Sequence, residues 1–328
     1  MAKVRDHYFD NARFFLIVLV VFGHLLRSFV SENHFLQALY MFIYSFHMPA
    51  FVLISGYFAK GINKPGYLLK LIKKLLIPYL IFQTFYACYY YFIDDVKTID
   101  LNPFDPQWAM WFLLSLFSWH VMLYLVKDYQ MSVVITGSFL TGILVGYFDF
   151  INNTLSLSRT FVFFPLFLLG YSATAENFNY IKNKKYLPLS IFSLVLIFNF
   201  YMLTNFNFEW LFGSKPYSSL ENVDLYSGVK RGLIYIIIVL STFSFLNIVP
   251  KRKLPLTYIG SRTMFIYLLH GLFIGLFRSN GWDKAFEGNM IYIMTGLLIM
   301  SALLVYIFSH NMTKKVTTPI VEVKNPLN

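Results

Sequence analysis

The chain has 328 residues, 57% of them hydrophobic, 20% aromatic and 13% charged, with a net charge of +11. Its mean hydropathy is +0.58, whereas soluble domains run nearer ~45–50% apolar and ~25% charged. This excludes a disordered chain, a coiled coil, a collagen-like fibre and a disulfide scaffold, and it argues strongly against a soluble enzyme. The class left is an all-α integral membrane protein, because about ten crossings of ~20 residues with short loops use up the length. The one cysteine, Cys88, lies in an apolar aromatic run. Alone it can build neither an internal disulfide nor a cysteine-rich metal site.

The first apolar stretch, about 12–30, is too long for a signal sequence and has no small-residue cleavage site, so it is a retained span. An ionisable side chain inside a bilayer is a functional candidate by default. Asp10 and Arg13 have the spacing of a helical ion pair, and Arg13 and His24 are 11 residues apart. At ~100° per residue these two fall within ~20° of one stripe, ~16 Å apart along the axis. One helix face therefore carries a charge at its start and an imidazole near mid-membrane.

The second span, about 36–58, contains His47, Pro49 and the pair Ser55-Gly56. It runs antiparallel to the first, which brings His47 to the depth of His24. Pro49 cannot donate to the Ser45 carbonyl, so a kink is expected beside His47. Gly56 permits close helix contact or close ligand approach, and Ser55-Gly56 alone reads as small-residue packing. The following loop, 60–74, carries Lys60, Lys64, Lys70, Lys73 and Lys74.

Further spans are expected at about 75–93, 108–127, 131–148, 160–175, 186–204, 229–249, 258–277 and 290–309. Trp108 and Trp111 fit an aromatic belt at the outer surface. Arg159 opens its span from the outer side, a charge placed against the orientation rule. His120 and His270 fall in the middle third of the bilayer. With His24 and His47 they raise the question of a metal, but no two share a helix at a spacing of three or four and intramembrane carboxylates are nearly absent, so no metal is expected.

Basic residues near the span ends set the orientation. Lys3, Arg5, Arg13, the 60–74 loop, Lys127, Lys182 to Lys185, Lys251 to Lys253, Arg262, Lys314, Lys315 and Lys324 share one side, and acidic residues favour the other. Both termini are then cytoplasmic, with 310–328 a cytoplasmic tail and 1–328 a single transmembrane domain. The positive charge faces anionic membrane lipid and anionic cytosolic ligands, and no segment is basic and exposed enough for nucleic acid.

Several segments carry a family resemblance. Asp10-Asn11-Ala12-Arg13 leading to Gly23-His24 resembles the first helix of the acyltransferase-3 family of integral membrane acyltransferases. Phe46-His47-Met48-Pro49, Ser55-Gly56-Tyr57, Trp111-Phe112-Leu113-Leu114, Phe164-Pro165, Leu169-Gly170-Tyr171 and Ile266-Tyr267-Leu268-Leu269-His270 resemble its fucose 4-O-acetylase-like branch. The resemblance spans about residues 5–310. It implies a ten-helix bundle in the cell membrane, a bacterial inner membrane by family habit. That bundle moves an acyl group, usually acetyl from cytosolic acetyl-CoA, onto a hydroxyl of a cell-surface or lipid-linked carbohydrate. The family's helix-one arginine and histidine fall on Arg13 and His24. Its basic pair before the third helix, usually arginine, is represented by Lys73 and Lys74.

The expected mechanism has His24 as base or transient acyl carrier and His47 as its helper. Arg13 steers the donor, and Arg159 meets the acceptor or the transition-state charge. Lys70, Lys73 and Lys74 hold the coenzyme phosphates as point charges, and Ser55 is grouped with these donor-side residues. The competing reading is a transporter or exporter of a glycan or small metabolite using the same buried polar path. Oligomeric state, the acceptor sugar and the roles of His120 and His270 stay open at this point.

Overall fold

The computed structural model describes residues 6–93, 98–286 and 288–321. Lys3, Arg5 and Lys324, expected at the basic face, lie outside the described residues. Among the described residues the secondary structure is helical throughout, with no strand. In chain order the helices are α1 (His7–Leu26), α2 (His34–Tyr44), α3 (His47–Tyr57), α4 (Tyr67–Leu71), α5 (Ile77–Ile93), α6 (Trp111–Val126) and α7 (Met131–Leu144). They continue as α8 (Leu157–Ser172), α9 (Ala175–Ile181), α10 (Leu187–Leu203), α11 (Glu209–Phe212) and α12 (Leu225–Ile248). The last are α13 (Thr263–Ser279), α14 (Met290–Ser309) and α15 (Asn311–Val321).

Seven helical stretches among the described residues are long and apolar enough to cross a membrane. They are 7–29, 34–61, 108–126, 154–172, 175–203, 225–248 and 290–309. The expected spans at 131–148 and 258–277 are apolar but shorter, over Met131–Tyr147 and Thr263–Ser279. The expected span at 75–93 forms the helix α5, which is not among these membrane-spanning stretches. Leu125, Phe192, Leu203, Leu233, Ile291 and Leu303 all stand exposed on the outside of the bundle. So much contiguous apolar surface needs lipid rather than water, and the chain is a multi-pass membrane protein.

Local chemistry explains where the helices start and break. Asp6 caps α1 by accepting the Tyr8 N–H at 2.9 Å. The second expected span is two helices, not one kinked helix. Pro49 falls in the first turn of α3, where its missing N–H costs nothing. The Ser45 carbonyl it leaves free accepts from Ser241 Oγ at 3.2 Å. Pro78 stands just after a π-helical turn, Ile72–Leu76, that holds Lys73 and Lys74 and joins α4 to α5. Around Pro165 in α8, Trp119 Nε1 and Tyr235 Oη donate to the Thr160 and Val162 carbonyls at 2.7 and 2.8 Å.

Two glycines fix the tightest crossing, α3 on α8. A Cβ at Gly56 would lie 2.0 Å from the Phe167 carbonyl oxygen, and one at Gly170 would lie 1.9 Å from that of Leu53. Gly56 therefore serves helix contact. The basic segments meet on one face. Lys182 pairs with Asp6 at 2.7 Å, Asn11 donates to the Pro250 and Arg252 carbonyls at 2.8 Å, and Lys60 donates to the Ala173 carbonyl at 2.5 Å. The same face receives the end of α14, where Arg262 donates to the Ser309 carbonyl at 2.5 Å. Residues 311–321 of the expected tail form α15. The overlap at Gly170 is with backbone and has no rotameric escape. Gly170→Ala is expected to lower the thermal midpoint of the detergent-solubilised protein by several degrees, on the order of 2 kcal/mol. Gly137→Ala, whose Cβ would meet nothing within 4 Å, should leave the midpoint unchanged.

Candidate active site

A cavity of about 240 Å³ lies in the half of the bundle away from the basic face. His24 of α1 and His47 of α3 both line it, as does Arg159 of α8. These are the three residues expected to perform the chemistry, and the fold brings them together. The wall between them is aromatic, with Tyr40 and Tyr44 from α2, Trp108 and Trp111 at the start of α6, and Tyr267 from α13.

The helix break at Ser45 delivers His47. As the first residue of α3, its ring turns back so that Nδ1 donates to the Ile43 carbonyl at 2.8 Å. A carbonyl can only accept, so the neutral ring carries its proton on Nδ1 and keeps a lone pair on Nε2. The His24 ring makes no hydrogen bond among the described residues, and its edge is free toward the cavity. It is half-buried, with its centroid 4.4 Å from that of Trp108 and 5.4 Å from that of His270. The ring beside His24 is thus His270, while His47 stands across the cavity against Tyr44 at 4.5 Å.

His270 is fully buried. Its Nδ1 donates to the Tyr267 carbonyl at 2.6 Å and faces that of Ile266 at 3.1 Å. This fixes the proton on Nδ1, and Nε2 is left with no partner. His120 stands apart, with Nδ1 3.1 Å from the Tyr67 hydroxyl. Among the described residues no group of three or more His, Cys, Asp or Glu is placed to hold a metal ion.

Trp108 and Trp111 are not in an outer belt. The segment 102–107 folds back against α5 to the level of Gln83, which is buried. Gln83 Nε2 donates to the Asn102 and Asp105 carbonyls at 3.0 and 2.7 Å, and its Oε1 accepts the Gln107 N–H at 2.7 Å. One buried side-chain amide thus satisfies three backbone groups of this segment. Trp108 follows directly, with its ring on His24 and His270 and its φ at 41°. Gly271 makes room for that ring, since a Cβ there would lie 2.6 Å from it. Leu155 and Ser156, at φ 53° and 54°, shape the turn just before Arg159. Positive φ at non-glycine residues is strained and gathers at functional sites. The guanidinium of Arg159 lies over Trp111 at 4.9 Å and donates to Asn153 Oδ1 at 2.6 Å.

The donor-side residues do not join this cavity. Arg13, Lys70, Lys73, Lys74 and Ser55 are absent from its lining. Arg13 is paired with Asp10 at 3.6 Å and lies over Phe58 at 4.6 Å. Lys70 and Lys74 are exposed and Lys73 is half-buried. Ser55 Oγ donates to the Phe51 carbonyl at 2.8 Å. Between Arg13 and the cavity floor at Val20, Leu16 and Ile17 are buried. Leu16 and Ile17 thus stand between Arg13 and the cavity along α1.

Sequence reasoning missed Arg27 and Arg278, which also line the cavity. Both sit at helix ends on the cavity side of the bundle, Arg27 just after α1 and Arg278 in the last turn of α13. Arg278 donates to the His24 carbonyl at 2.6 Å.

A model of the acyltransferase domain family matches residues 6–310. Nodulation protein NolL of Sinorhizobium fredii is 46% identical over 63 residues, 18% of this chain and 17% of that protein. Nodulation protein NolL of Mesorhizobium japonicum is 43% identical over 60 residues, 17% of this chain and 16% of that protein. The chain thus covers about a sixth of the length of these curated relatives. No solved structure gives a significant match.

Replacing Gln83 by Leu removes the partner of three backbone groups at once. Gln83→Leu is expected to cost about 2 kcal/mol or more. The readouts are a lower thermal midpoint and faster proteolysis within 98–107, while cleavage of the 204–224 segment stays as in the parent.

Proposed function

The chain belongs to the acyltransferase domain family, and from that premise we propose that it is a membrane-bound O-acyltransferase of the fucose 4-O-acetylase-like branch. It moves an acetyl group from cytosolic acetyl-CoA to a hydroxyl of a cell-surface or lipid-linked carbohydrate. The observation that carries this reading is the free edge of the His24 imidazole at the floor of an aromatic, arginine-lined cavity.

The chemistry runs as follows. The His24 lone pair takes the proton of the acceptor hydroxyl as its oxygen attacks the thioester carbonyl. The tetrahedral oxyanion collapses, the C–S bond breaks, and the thiolate leaves with the proton that the imidazolium returns. One ester and one free thiol result. His47 presents Nε2 across the cavity and assists the transfer, and Arg159 works on the acceptor side. Tryptophan faces beside His24 suit a sugar ring.

Arg13, Lys70, Lys73 and Lys74 hold the phosphates of the donor at the basic face, near Ser55. The ~16 Å from Arg13 to His24 along α1 is within the reach of an extended pantetheine arm. Ten crossings, with both termini in the cytoplasm of the cell membrane, accompany this reading. In this reading α5, α7 and α13 add three crossings to the seven long stretches.

Mass spectrometry of surface glycans and glycolipids, from cells with and without the protein, should find an alkali-labile acetyl ester that depends on it. In detergent, purified protein should cleave labelled acetyl-CoA only when acceptor is present. Flux of substrate without thioester cleavage would mark a transporter instead. His24→Ala should lower kcat by about 100-fold or more with folding intact. Combined Gln substitutions at Lys70, Lys73 and Lys74 should raise KM for acetyl-CoA and leave kcat near the parent value.

A further inference from the structure

The cavity holds more positive charge than transfer to a neutral hydroxyl requires. Arg27 from the turn after α1, Arg159 from the start of α8 and Arg278 from the end of α13 all line it, and no aspartate or glutamate does. The Tyr44 hydroxyl lies within electrostatic reach of all three guanidiniums. Asp105 stands behind a neutral amide, accepting from Asn153 Nδ2 at 3.0 Å, while Asn153 Oδ1 accepts from Arg159.

None of the three is neutralised by an ion pair among the described residues. Arg159 donates to an amide oxygen and Arg278 to a backbone carbonyl. Arg27 lies over the Phe208 ring at 4.7 Å and is exposed at the mouth. Each guanidinium offers five N–H donors, so most of them are unspent. On the opposite face the contrast is plain, since Lys182 and Arg13 have carboxylates. Like charges converging in a low-dielectric cleft without a counter-ion repel one another and focus an attractive field for anions. Planar guanidiniums match phosphate and carboxylate in geometry. Arg278 is also fixed to the backbone of His24 itself, which sets an anion bound there at a defined place relative to the base.

Resting on the acyltransferase reading above, we propose that the acceptor is an anionic carbohydrate, its phosphate or carboxylate held by Arg27, Arg159 and Arg278 while a hydroxyl of the same molecule reaches His24. The phosphate of a lipid-linked sugar and the carboxylate of an acidic sugar share this chemistry.

The test measures binding without donor, so that it stands apart from transfer. Purified protein is titrated with glucose, glucuronate and glucose 1-phosphate, and Trp108 and Trp111 report through fluorescence. A dodecyl phosphate-linked glucose forms a fourth arm that reads the lipid source. At least one anionic sugar should bind about tenfold or more tighter than glucose, the worth of one charge-assisted hydrogen bond. Added salt should erode that margin. Arg27→Gln, at an exposed position, and Arg278→Lys, which keeps the charge, guard against misfolding. Arg27→Gln should cut the anionic preference several-fold with glucose binding unchanged, and Arg278→Lys should retain part of it. Equal binding of glucose and the anions would overturn the proposal. So would an unchanged preference in Arg27→Gln, or a loss in that variant of acetyl-CoA binding in place of sugar binding. If His24→Ala still transfers acetyl, the base assignment falls while the anion site stands.

Discussion

A polar group inside this bundle has to find its partner inside the bundle, because hydrocarbon offers none. That constraint shapes the two places where the chain leaves helical geometry next to the cavity. At Ser45 and Phe46 the helix stops, and Ser241 takes up the carbonyl that Pro49 cannot serve. At 102–107 the chain folds back, and Gln83 answers three backbone groups. The first break aims His47 and the second seats Trp108. The irregular backbone is tolerated because it lines a cavity, and its polar debts are met by side chains on α5 and α12.

Charge is distributed unevenly across the molecule. The face that receives both ends of the described chain is basic and partly paired, as in Lys182 with Asp6 and Arg13 with Asp10. The cavity half carries three arginines without carboxylates. A fourth, Arg231, is buried under the 204–224 segment. It donates to the Trp210 carbonyl at 2.7 Å between the rings of Trp210 and Tyr217. That arginine closes a packed cap, whereas the other three face open space. The same side chain thus serves two ends, decided by what surrounds it.

The apolar stretch between Arg13 and Val20 separates the basic face from the cavity along α1. Along α1 between Arg13 and His24, Leu16 and Ile17 are packed in the core.

The sequence by itself determined the class and most of the spans, because a bilayer imposes length and apolarity on each crossing residue by residue. It also placed His24, His47 and Arg159 among the residues to watch, since each breaks a local rule of membrane chemistry. It read Pro49 as a kink, where the chain makes a full break, because whether a carbonyl finds a partner on a distant helix is not written locally. Tryptophans at a span end read as a belt, and only the fold-back held by Gln83 turns Trp108 onto His24. His270 beside His24, and Arg27 and Arg278 beside Arg159, join residues far apart in the chain. Such neighbours depend on helix packing, which tertiary structure alone decides.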